Sequence, residues 1–321
     1  MAQILFFDIL KIKTMTTEKL ITSKQTDKVA DLGREAVKTA VGKVNPTSTN
    51  AQVGIISQGG EFKDRVEEAV KAIILDMTTP NKYADEVVSS SYTYPKEYKM
   101  KPIAEQAKTI ALMFGLDPTY ALEFSKNLPT LPEGAEGWFA VPKVSSIAKK
   151  FFPAITDPAM QYCEAVKLVH KKLAEVRNFT NYRDGQITPS QLRVHARTAD
   201  FLEQLELQQQ GDILILAVQY GMRHRGKSVR RARETFAGNE FGLTSFALGC
   251  MVLVHPERFV CWKELDVDCS GDEFSPDANG SFSRSPFFDF GFVELRFGTF
   301  DVSYADDNFG AASAFVPVPQ N

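Results

Sequence analysis

The chain is poor in the residues that build metal knuckles and disulfide scaffolds. Its 321 residues include four cysteines and four histidines. Cys163, Cys250, Cys261 and Cys269 form no C-x-x-C pair, which excludes the usual zinc knuckle and dithiol redox motif. Four thiols are too few to staple a chain of this length, so buried free thiols are expected. Long apolar runs are also missing. The longest, Phe246 to Val254, falls well short of the roughly 20 apolar residues that a membrane-spanning helix needs. The greasy run from Ile4 to Ile12 lacks the basic leader and cleavage site of a signal peptide. Residues 1–14 therefore read as an apolar extension, and the expected location is the cytoplasm.

A large charge of one sign is absent as well. The formal net charge is −3, from 37 Lys+Arg and 40 Asp+Glu, which argues against a nucleic-acid binder built on bulk charge. That sum hides an asymmetry. Residues 264–321 carry eleven acids and two bases, a net of −9, and the other 263 residues carry +6. The chain has a basic body and an acidic tail, a pattern that bears on interactions.

Apolar residues make up 44% and charged residues 24%, the composition of a folded globular protein. Helical spacing of apolar residues predicts helices over Thr26–Val44, Glu61–Met77 and Ile103–Phe114. Asp117-Pro118 and Asp157-Pro158 each place a capping acid before a proline suited to the first helical position, the second pair opening a helix that ends near Arg177. Thr188-Pro189-Ser190-Gln191 reads as a capping box opening a helix to Gln210. Residues 45–60 and 78–102 read as irregular. Ile213 to Tyr220 is the pattern of a strand buried on both faces. After Asp266, short strand-like runs are dense in phenylalanine. The expected class is α+β: a helical N-terminal half, then a C-terminal α/β-to-β region with a buried strand near 213–220 and Phe-rich short strands. The expected organisation is an extension (1–14), a helical region (15–130) and an α+β domain (131–321).

Directly after the buried strand lie Arg223, His224, Arg225, Lys227, Arg230, Arg231 and Arg233, and no acid occurs from Ile213 through Arg233. Arginine forks suit phosphate, and open α/β sheets bind ligands where strands lead into helices. A second group, Arg177, Phe179, Tyr182 and Arg183, interleaves cations with aromatics as single-stranded RNA binders do. Residues 221–228 also fit G-x-x-x-x-G-K-S. The bulky Met, Arg and His within that loop, and the lack of a later strand ending in aspartate, argue against an NTPase. Asp266, Asp268, Asp272 and Asp277 fall at calcium-loop spacing with Ser270 and Gly271, although position 12 is Asp rather than Glu. They are the candidate ligands for magnesium or calcium. No nucleophile–base arrangement stands out, and no catalytic residue is assigned.

These features point to binding of nucleic acid, RNA before DNA, or of another phosphorylated ligand through the two basic groups. One alternative is a metal-dependent enzyme acting on a phosphorylated substrate. The other is a structural or assembly protein whose basic and acidic regions pair. Solvent-facing arginines favour a nucleic-acid surface, arginines facing the aspartates across a cleft favour an active site, and paired arginines favour architecture. The oligomeric state is open.

Overall fold

The computed structural model describes residues 23–44, 60, 62–67, 69–70 and 81–317. The apolar run at 1–14, the loop at 45–59 and the end of the helix expected to Met77 lie outside the described residues. The chain divides into two compact units, Met1–Pro80 and Asn81–Asn321. In the first, α1 spans Ser23–Val44, and residues 62–67 and 69–70 are helical.

In the second unit, residues 81–102 carry no long element. Helix α2 (Ile103–Phe114) buries Ala107, Ile110, Ala111 and Phe114 and ends at Gly115 in the left-handed region. Helix α3 (Thr119–Phe124) follows, with Asp117 accepting from Thr119 N. Strand β1 (Gly137–Pro142) and helix α4 (Val144–Phe151) lead to α5 (Pro158–Val176). Asp157 caps α5 through Met160 N at 2.8 Å, with Pro158 in the first turn, as the sequence predicts.

The capping box at Thr188 is not used. The backbone makes one turn there, then strand β3 (Leu192–Val194) pairs with β7 (Asp272–Phe274), and α6 begins only at Ala196 and runs to Gln208. Thr188 Oγ1 turns to Ser190 and Gln191 instead of a helical amide. Burial of Leu192 and its pairing opposite Phe274 outweigh the local cap.

Strand β4 (Ile213–Gln219) is buried at every position, as predicted. It lies between β1 and β11 (Ser313–Phe315), and β11 pairs in turn with β5 (Glu240–Gly242). All three pairings are antiparallel. The rule that places ligands at strand ends of open parallel sheets therefore does not apply here. The second sheet is built on β8 (Arg284–Gly291), with β6 (Asp266–Asp268) and β7 along one edge and β9 (Glu294–Asp301) along the other. Strands β2 (Phe179–Asn181) and β10 (Phe309–Ala311) add in parallel to β9 and β6.

The apolar run Phe246–Val254 is helical. It forms α8 (Ser245–Val254), capped by Thr244, with all ten residues buried. A continuous apolar run of this length fits a buried helix as well as a strand. Here the cap and the helix-forming Ala, Leu and Met decide. The phenylalanines of the C-terminal sheet fill the core beside it, Phe288 and Phe297 packing at 5.1 Å between ring centres.

Candidate functional site

The basic segment leaves β4 through Gly221, whose φ of 124° is open to glycine, and a Cβ there would stand 3.0 Å from Gly310 O. A 3-10 turn (Met222–His224) and the short helix α7 (Val229–Glu234) carry the cations. Ser228 caps α7 through Arg231 N at 3.1 Å.

Each cation of the segment is engaged within the chain. Arg223 is exposed but sits 3.4 Å from Glu240 and over the Phe315 ring. Arg225 donates to Tyr92 O at 3.0 Å. Lys227 Nζ reaches Thr235 Oγ1 at 3.1 Å and His224 Nδ1 at 3.2 Å. Arg230 grips the Glu86 carboxylate and lies 4.3 Å over the Tyr83 ring. Arg231 donates to Asn81 and Glu234 at 3.1 and 2.6 Å. Arg233 turns inward to Ser270 O and Asp272 O, and burial pushes its pKa down to about 10. The basic run thus meets the acidic loop at one residue, through carbonyls rather than carboxylates.

His224 and Glu240 form the buried centre of the segment. His224 Nε2 lies 2.7 Å from Glu240 Oε1, and Ser313 Oγ and Ala237 N also donate to that carboxylate. Desolvation alone would raise the Glu240 pKa, but the hydrogen bonds from His224, Ser313 and Ala237 hold it down at about 2. Burial lowers the His224 pKa, against the pull of Glu240. A neutral ring protonated on Nε2 satisfies both contacts, with Nδ1 accepting from Lys227.

The second basic group is dispersed. Arg177 donates to Pro256 O and Phe259 O and covers the Phe290 ring. Arg183 bonds Gln186 and lies over Phe274. Phe179 packs on His170 at 5.3 Å. Tyr182 is 55% exposed. Phe179 shares an open cleft of about 360 Å³ with Lys167, His170, Lys171 and Asn181. Burial drives the His170 pKa down to about 3, and its Nε2 has no hydrogen-bond partner.

The four aspartates also have separate surroundings. Asp266 accepts from Phe290 N and Asn308 Nδ2, both at 3.1 Å. Asp272 accepts from Tyr162 Oη at 2.6 and 2.7 Å and from Ser245 N at 2.7 Å. Asp268 is buried, with the charge of Arg233 acting against the effect of burial, and Asp277 is exposed. Desolvation raises the pKa of Asp266, Asp268 and Asp272 to about 8, 7 and 6. Among the described residues, no group of three or more His, Cys, Asp or Glu side chains is arranged to hold a metal ion.

Two features give no warning in the sequence. Arg258 is fully buried among Tyr94, Tyr220 and Phe259, 4.2–5.1 Å from their ring centres, and none of its guanidinium nitrogens has a hydrogen-bond partner. At the β8–β9 hairpin tip, Phe292 and Val293 are 87% and 79% exposed, with φ of 53° and 61°. Only the pairing register reveals that these two residues are the turn. Among the described residues, no helix is long and apolar enough to cross a membrane. Compared with protein-family models, curated proteins and solved structures, the chain matches none, so its function is argued from this geometry.

Proposed function

We propose that the chain is a structural protein that assembles with further copies of itself through the β8–β9 hairpin tip. One observation carries this reading. Gly291 pairs with Glu294, which leaves Phe292 and Val293 as a two-residue turn with positive φ at both positions. Such type I′ turns favour Asn-Gly. A non-glycine residue held there costs about 1–3 kcal/mol, and a β-branched one is an outlier. Single exposed apolar residues are ordinary on a protein surface. Two of them in a strained turn, with exposures of 87% and 79%, bury little surface within the monomer, where the Arg296 guanidinium lies 5.6 Å from the Phe292 ring centre. Burial against a second copy offsets that cost. The internal pairing of Arg225, Arg230, Arg231 and Arg233 supports the same reading, since those charges are engaged inside the chain.

Sedimentation velocity of the full chain across a concentration and salt series tests it. The expected result is concentration-dependent association that persists at high salt, because the contact is apolar. A monomer at every concentration contradicts it.

A second reading has its own support. Arg225, Arg230 and Arg231 are covered by a surface segment, residues 81–92, rather than by core. Displacement of that segment would leave cations suited to RNA or another phosphorylated ligand. Retention on RNA that weakens with salt is the expected outcome, and salt-independent retention contradicts it. We also place the protein in the cytoplasm, on the support that Cys163, Cys250 and Cys269 are buried as free thiols.

A further inference from the structure

We propose that residues 81–92 form a detachable cover over a phosphate-binding surface made by Arg225, Ser228, Arg230 and Arg231, and that the displacing ligand is single-stranded nucleic acid. The proposal rests on the second reading above and is independent of the hairpin tip.

The cover supplies oxygen atoms where a phosphate backbone would. Both oxygens of Glu86 lie 2.9 Å from Arg230 Nε, and one accepts from Ser228 Oγ at 2.6 Å. Asn81 Oδ1 accepts from Arg231 and Tyr92 O from Arg225. These seats are met by one continuous segment, turned at 81–85 and irregular from Val88 to Tyr92. A ligand that replaces all of them must carry repeated anionic groups on one chain, which a nucleic-acid strand does. The Arg230 fork, which already holds both oxygens of the Glu86 carboxylate, suits phosphate equally. The segment itself offers no acid between Ile213 and Arg233 to repel such a ligand. The flanking carboxylates are Glu234, held by Arg231, and Asp301, which acts on Arg230.

The attachment is of a kind that opens. Val87 and Val88 remain 45% and 38% exposed, so the cover buries little apolar surface. Its contacts are a short antiparallel bridge at Val87 and Lys227 with two flanking backbone hydrogen bonds, the Glu86–Arg230 ion pair, and polar hydrogen bonds that include Lys82 N and Tyr83 N to Glu234 and Ser90 Oγ to Asp307 O. A partly exposed ion pair contributes little and weakens with salt. Beyond Tyr92 the chain is firmly held. Leu265 N donates to Thr93 O, and Tyr94 Oη donates to Glu136 while its ring stacks on Arg258. Opening therefore stops at Thr93. Gly226 makes the closed position fit, since a Cβ there would stand 2.2 Å from Val88 O.

The bridge allows a direct test in the full chain. Val87 and Lys227 face each other outside the flanking hydrogen bonds, the close kind of antiparallel pair, which suits a disulfide. Val87→Cys and Lys227→Cys, placed together in a Cys261→Ser background, lock the cover when oxidised and free it when reduced. The protein is otherwise identical in the two states. Binding of a fluorescent single-stranded RNA oligonucleotide is then read by anisotropy across a salt series. The reduced form is expected to bind about tenfold tighter than the oxidised form, as a closed population lowers apparent affinity. Its affinity should fall with salt. Glu86→Gln in the unlocked full chain should also tighten binding. Equal affinity in the two redox states overturns the cover but leaves RNA binding standing. No binding in either state overturns both. Stronger binding of oligoglutamate than of RNA overturns the assignment of ligand class.

Discussion

His224 and Glu240 share a buried hydrogen bond, Nε2 to Oε1 at 2.7 Å, that ties the basic segment to strand β5. Glu240 also accepts from Ser313 of β11, so three elements meet on one carboxylate. Glu240→Ala leaves these donors buried and unpaired. It is expected to cost about 1–3 kcal/mol for each donor left unsatisfied, read in urea denaturation, whereas Glu240→Gln, which keeps an acceptor, costs less. The held-down Glu240 carboxyl also sets an acid limit. With a pKa of about 2 folded against 4.5 ordinarily, its contribution is full above pH 4.5 and is lost as pH falls toward 2.

The buried aspartates act in the opposite direction. Asp266 and Asp268 keep their protons up to about pH 8 and 7, whereas in the unfolded chain they lose them near 3.8. The native state then binds more protons than the unfolded state, so stability falls as pH rises through this window. The buried histidines, with pKa values near 3 for His170 and 4 for His255, destabilise only below about 6.5, where the unfolded chain takes up protons that the native chain refuses. Between pH 6.5 and 8 the aspartates dominate. Each fully differing carboxyl contributes a slope of about 1.4 kcal/mol per pH unit. Unfolding free energies measured at both ends of this window should decline, and Asp266→Asn should flatten the decline. An unchanged slope in that variant contradicts the assignment to Asp266.

Gly249 of α8 faces Val169 of α5, and a Cβ there would stand 2.5 Å from Val169 Cγ1. In an open helix Gly→Ala gains about 1 kcal/mol. Here the overpacking costs about 1–3 kcal/mol and decides the sign. Gly249→Ala is expected to lower stability in the natural chain and to raise it in a Val169→Ala background. A double-mutant cycle with no coupling contradicts this packing.

Much of the fold is legible from local signals. The Asp157-Pro158 cap, the α2 boundaries and the buried β4 strand follow from spacing and capping chemistry. Elements settled by long-range contacts are not. The Thr188 box loses to pairing of Leu192 with β7, and Phe246–Val254 has no period to separate helix from strand. The cations of 223–233 are plain in the sequence, but their partners lie as far away as Asn81, Glu86 and Ser270. Composition carries no trace of those distances. Arg258 and the Phe292–Val293 turn are visible only once register and burial are known.

The most direct measurement concerns that turn. The double variant Phe292→Asn, Val293→Gly installs the residues a type I′ turn favours and removes both exposed apolar side chains. Relief of the left-handed strain should raise the unfolding free energy by about 1–3 kcal/mol. Sedimentation velocity of this folded, more stable chain should show a monomer at concentrations where the natural chain associates. Association equal to that of the natural chain would contradict self-assembly through the hairpin tip.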